Sequence, residues 1–107
     1  MIRMSLKICL TVMALMLSAT VSLALPACPS IGHFNNCFGT YTYNNGETYT
    51  GEWKNNLSNG QGTTIFANGD NYVGQYKNNA FSGQGTFTYA NGTVQKGIWK
   101  NDRFLYA

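Results

Sequence analysis

The 107-residue chain reads as all-β: an elongated, twisted antiparallel meander of β-hairpin repeats with a period of 23, preceded by a helical signal peptide. Three observations predict it. Written in lines of 23, Tyr49 to Asn71 (YTGEWKNNLSNGQGTTIFANGDN) and Tyr72 to Val94 (YVGQYKNNAFSGQGTFTYANGTV) fall into register, and a fixed period of this size marks stacked units that bury their faces only against neighbours. Within each line, aromatic or Gly positions alternate with polar or β-branched ones, the period-two pattern of a strand. Between the strands recurs an Asn-Gly pair, at 45–46, 68–69 and 91–92, suited to a tight hairpin turn.

The elements follow in chain order. Residues 1–24 place Arg3 and Lys7 ahead of an apolar run from Ile8 to Leu17 and end in Ser22-Leu23-Ala24, the layout of a cleavable secretory leader. The run is too short for a membrane span, which takes about 18 to 20 residues. Leu25-Pro26-Ala27-Cys28 offers a lipoprotein alternative with lipid on Cys28, although Pro26 departs from the small or β-branched residue usual there. The expected address is secreted or periplasmic. All 12 Gly and all 15 aromatics lie at or after Gly32, so the bulk composition mixes two unlike segments. Without the leader, five basic and four acidic residues leave a net charge of +1, and this near-neutral domain carries no electrostatic case for nucleic acid.

Residues 25–107 form the repeat domain, in units of about 26–48, 49–71, 72–94 and 95–107. In each unit the Asn-Gly pair predicts a type I′ hairpin turn, while Lys54 to Gly60 and Lys77 to Gly83 read as wider, Asn- and Ser-rich loops. Gly51, Gly74 and Gly97 fall inside strands, where glycine is unfavourable unless another group must approach the backbone. Each lies between two positions that are usually aromatic, so a neighbouring ring is expected to lie over it. Cys28 and Cys37, the only cysteines after the leader, are expected to form a disulfide that caps the irregular first unit. A metal site Cys28-x4-His33-x3-Cys37 is the alternative and lacks a fourth ligand. At the other end the fourth unit stops at Phe104-Leu-Tyr-Ala107, which leaves a sheet edge that either folds back on itself or pairs edge to edge with a second molecule.

Tyr49-Thr-Gly51-Glu-Trp53-Lys-Asn with Asn59-Gly60-Gln-Gly62-Thr, then Tyr72-Val-Gly74-Gln-Tyr76-Lys-Asn with Ser82-Gly83-Gln-Gly85-Thr, and again Gly97-Ile-Trp99-Lys-Asn, resemble the MORN repeat. The resemblance spans roughly residues 38–101. It implies the hairpin-repeat sheet, and family roles in tethering, scaffolding and, in some members, contact with phospholipid membranes. The sequence departs from similar repeats at Asn55-Asn-Leu-Ser58 and Asn78-Asn-Ala-Phe81, where Asp-Gly and basic residues are common. Asn tolerates the left-handed conformation, so the fold survives, but the lost charge weakens an anionic-lipid role.

Nothing in the chain suggests catalysis or a cofactor. His33 is the only histidine, the four carboxylates are scattered, and no serine has triad spacing or phosphate-cradling context. The expected function is non-catalytic: an exported module for protein interaction or scaffolding at the cell envelope. Its partner is an unidentified protein or envelope component. The regular stripe Tyr49, Trp53, Tyr72, Tyr76 and Trp99 also admits an aromatic-lined site for sugar or choline, provided the rings are exposed, or a phospholipid-surface module.

Overall fold

A computed structural model describes residues 24–107, so the leader read over residues 1–24 lies, but for Ala24, outside the described residues. The seven strands are β1 (Cys37–Thr42), β2 (Thr48–Lys54), β3 (Leu57–Ile65), β4 (Asn71–Lys77), β5 (Ala80–Thr88), β6 (Val94–Lys100) and β7 (Arg103–Tyr106). They form one antiparallel sheet in chain order. The chain end folds back on the sheet as a further strand, β7, which pairs with β6 through Trp99–Phe104 and Lys100–Arg103.

Both turn assignments differ from the sequence expectation. The supposed wide loops are two-residue turns, Asn55-Asn56, Asn78-Asn79 and Asn101-Asp102, with both residues left-handed at φ between 49° and 69°. That is type I′, whose backbone twist matches the flanking strands. The Asn-Gly segments are the wider connections. Only the glycine has positive φ (Gly69, 95°), the Gly69 N–H bonds Phe66 O at 3.0 Å, and the Phe66 N–H bonds Asp70 O at 2.9 Å. This is a type I turn closed by a glycine bulge, with Asn68 Oδ1 accepting the Asp70 N–H at 2.9 Å.

The two-residue turns also lock the repeats together. Asn79 donates its N–H to Ser58 O (3.0 Å) while its Oδ1 accepts the Ser58 N–H (2.7 Å). Asp102 does the same to Phe81 (3.2 and 2.8 Å), and Asn56 to Phe34 (both 2.7 Å). The second turn residue must therefore tolerate positive φ and carry a short acceptor, which restricts it to Asn or Asp. Phe34 lies in the segment before β1, so that segment supplies the first clasp in place of a preceding repeat. It is tied down by the Cys28–Cys37 disulfide, Cα atoms 4.9 Å apart, and by Cys28 N–H to Phe38 O (2.9 Å) and Phe38 N–H to Pro26 O (2.8 Å) along β1.

Across the middle of the sheet the register places glycine beside glycine on six strands: Gly39, Gly51, Gly62, Gly74, Gly85 and Gly97. A Cβ on Gly51 would meet Gln61 O and Gly62 Cα at 2.5 Å, and one on Gly62 or Gly85 would collide with the hydroxyl end of the Tyr49 or Tyr72 ring. The expected ring is thus present at Gly51 and Gly74, though it covers the glycine of the next strand more closely than that of its own; at Gly97 the space is taken instead by the backbone of Tyr106 and Ala107. The strands bend at this row. Phe66 lies six residues beyond Gly60, the partner of Tyr76, roughly 20 Å along a straight strand. Yet its ring centroid is 6.4 Å from that of Phe81, which also pairs with Tyr76. The sheet therefore folds along the glycine row into a trough. A second pair of glycines, Gly60 and Gly83 (φ 99° and 98°), forms bulges opposite Glu52 and Gln75, whose side chains accept the Gln61 and Gln84 N–H groups at 3.1 and 2.8 Å.

Gly74 faces backbone on its trough side: its Cβ would meet Gly85 Cα and, at 2.5 Å, Gln84 O. Gly74→Ala is expected to lower stability by about 1–3 kcal/mol in urea denaturation. Thr86→Ala, on the other face of the same sheet, should stay within about 0.5 kcal/mol.

Candidate functional site

The trough is filled by the aromatic stripe. Tyr49, Trp53, Tyr72, Tyr76 and Trp99 retain 0–5% of their surface, and Phe34, Phe81, Phe87 and Phe104 pack against them. Successive rings meet edge to face: Tyr49–Trp53 and Tyr49–Tyr76 at 4.9 Å, Tyr72–Tyr76 at 5.2 Å and Tyr72–Trp99 at 5.5 Å. Phe81 stacks flat on Tyr72 at 3.8 Å. Each polar handle is used internally. Tyr49 and Tyr72 donate to Glu52 O (2.7 Å) and Gln75 O (2.9 Å), and Trp53 and Trp99 to Gly39 O and Gly85 O (3.0 Å each). Tyr76 shares a 2.5 Å hydrogen bond with the buried Thr64. The stripe is core, so it is no open platform on which a sugar or quaternary amine could stack.

The outer face is uncovered, and the register arranges it in rows running across the strands. One row is Thr40, Thr50, Thr63, Val73, Thr86 and Lys96, and the next is Thr42, Thr48, Ile65, Asn71, Thr88 and Val94. Thr40 and Thr50 bond each other at 2.9 Å, and Thr42 and Thr48 at 3.1 Å. Ile65, Val73 and Val94 are about half exposed (51–54%). In these two rows the outer face is a Thr-rich surface with β-branched apolar residues and one charge, Lys96, set into it.

Charge is segregated instead at the tight-turn end. Lys54, Lys77 and Lys100 occupy the last position of β2, β4 and β6, all exposed, with Arg103 opening β7 beside Lys100. Two strand spacings separate consecutive lysines, about 10 Å. Four of the five basic residues of residues 25–107 thus share one rim, a concentration that the net charge of +1 conceals.

The carboxylates also behave differently from the sequence reading. Glu47 and Asp102, 55 positions apart, line one notch of about 460 Å3 at the trough mouth, together with Tyr43, Ser58, Thr64 and Phe66. No group of three His, Cys, Asp or Glu side chains among the described residues converges on a metal position. The Cys28/His33/Cys37 metal alternative fails because the two sulfurs are bonded to each other.

Burial holds the tyrosines neutral. Desolvation, reinforced by nearby carboxylate charge, pushes Tyr49 and Tyr76 far above the usual phenol range and Tyr72 up to about 12, and Tyr43 is raised by burial and then by Glu47. A tyrosine whose folded value exceeds its unfolded value near 10 contributes its full stability below pH 10 and loses it as the unfolded chain ionises first. Spectrophotometric titration should show Tyr49, Tyr72 and Tyr76 silent at about pH 10, with unfolding setting in between there and about pH 12, where Tyr72 itself titrates.

The comparisons accord with this geometry. The family model for the MORN repeat matches residues 38–48, 49–71 and 72–94. No curated protein matches the chain. MORN repeats are generally protein- or membrane-interaction modules of a non-enzymatic kind. With more than half of its residues matched, the chain belongs to the MORN-repeat family.

Proposed function

We propose that the chain is an exported, non-catalytic interaction module that presents the outer face of its sheet to a protein of the cell envelope. The observation that carries the reading is that face itself. A one-layer sheet hides its aromatics in the trough, and it leaves Ile65, Val73 and Val94 half exposed among threonines, in two rows whose single charged residue is Lys96. Depletion of charge around exposed apolar residues is the composition of an interface centre rather than of an ordinary solvated sheet. The leader pattern supports export, and a disulfide in the N-terminal cap suits an oxidising compartment. A photo-crosslinking residue at Val73, expressed in the full chain in its parent cell, should yield one discrete protein adduct that Ile65→Lys abolishes. Adducts from the trough rim but none from Val73 would overturn the proposal.

A second reading is favoured by the basic rim. Four exposed cations in a row would contribute roughly 4 kcal/mol at an anionic bilayer, at about 1 kcal/mol each. In sedimentation with vesicles, binding is expected only with anionic lipid, and it should vanish in the triple variant Lys54→Gln, Lys77→Gln, Lys100→Gln. Equal binding to zwitterionic vesicles would contradict it.

A further inference from the structure

The aromatic core has a gap, and the repeat shows where it comes from. One period on, position 58 becomes Phe81 and then Phe104, and position 64 becomes Phe87, with Tyr41 at the same phase one period earlier. In that next unit the two rings fill the trough: Phe81 stacks on Tyr72 at 3.8 Å and packs against Phe87 at 6.0 Å. In the unit of Tyr49 the same two positions are Ser58 and Thr64, each at least nine-tenths buried. Two missing rings leave the notch of about 460 Å3.

What lines the notch is as specific as its volume. The floor includes Ser58 and Thr64, both almost fully buried and each with a hydroxyl, that of Thr64 already bonded to Tyr76. Ser58 Oγ donates to Asn79 Oδ1 at 3.1 Å, so its lone pairs stay free to accept. The walls include the rings of Tyr43 and Phe66, and Glu47 and Asp102 stand at the mouth. No lining residue is basic. Glu47 is also less engaged than its repeat equivalent. Asp70 spends one oxygen on the Ala90 N–H of the next hairpin (2.7 Å), whereas among the described residues the carboxylate of Glu47, one methylene longer, takes only the Asn45 Nδ2 bond at 3.1 Å.

We infer that this notch binds the protonated primary amine of an alkyl chain. Carboxylates supply the countercharge, ring faces attract a cation, and floor hydroxyls accept its N–H donors. The alkyl stem suits the aromatic walls, which a hydrated metal ion does not. Acceptors on the floor also favour an ammonium with N–H groups over a quaternary one, which has none to donate. The negative field is felt locally: Glu47 acts together with burial to raise Tyr43. The inference is independent of the proposed outer-face partner, because the notch opens on the opposite side of the sheet.

Isothermal titration of the full chain with 1,4-diaminobutane and with N-acetyl-lysine methylamide tests it, and the tighter of the two identifies a free polyamine or a lysine side chain as the source. Saturable binding is expected, weakened by salt, reduced about tenfold in Glu47→Gln, and abolished in Ser58→Phe, which restores the ring of the two following units. Ser58→Phe should keep or raise the melting temperature, so that its loss of binding is not a loss of fold. Tetramethylammonium and butan-1-ol should bind far more weakly. Absence of saturable binding by either amine, binding unaffected by Ser58→Phe, or tetramethylammonium binding as tightly as the amines would each overturn the inference.

Discussion

The fold depends on one steric condition, that six neighbouring strands carry no side chain at the same level. Where Gly39, Gly51, Gly62, Gly74, Gly85 and Gly97 line up there is no room for a methyl group: it would strike neighbouring backbone at Gly51, Gly74 and Gly97, the Tyr49 or Tyr72 side chain at Gly62 and Gly85, and the Cys28 side chain at Gly39. The bend at this row turns a single-layer sheet, which ordinarily has no interior, into a trough with one. The core is correspondingly built from large flat rings with internal hydrogen bonds, and every buried polar side-chain atom among the described residues has a partner. The tight turns complete the stack through reciprocal bonds from Asn56, Asn79 and Asp102 to the preceding unit. The disulfide-tied segment around Phe34 lets the first unit join that series without a neighbour.

The architecture was legible because the repeat writes each constraint several times. Strand identity followed from alternation, and close approach at Gly51 and Gly74 from glycine inside a strand. The turns were not legible in the same way. Asn-Gly is a strong hairpin signal, but it serves both a two-residue type I′ turn and a type I turn with a glycine bulge, and the sequence does not say which residues stand opposite. Asn55-Asn56 was concealed because Asn at two successive left-handed positions is less familiar than Gly, and because the Asn and Ser after it suggested a loop where β3 has already begun.

The functional surfaces were hidden for a related reason. Averaging the charge over the domain erased the rim of Lys54, Lys77 and Lys100, although their spacing of one period was present in the sequence. Ser58 and Thr64 looked like ordinary polar positions until compared with Phe81 and Phe87 at the same phase. Departures from the repeat carry the specific information in such a chain, since the conserved phases are occupied by folding. The aromatic stripe, the most conspicuous pattern in the sequence, is therefore structural, and the outer face, the basic rim and the notch are where recognition can occur.

The account stands on the rings occupying the space that glycine vacates, and a double-mutant cycle between Tyr72 and Gly85 measures that directly. A Cβ on Gly85 would collide with the hydroxyl end of the Tyr72 ring and meets nothing nearer. Gly85→Ala should therefore destabilise the wild-type chain yet cost little in a Tyr72→Leu background, giving a coupling of at least about 1 kcal/mol in urea unfolding. Costs that simply add would contradict it, and would mean that the glycine row is not there to admit the rings.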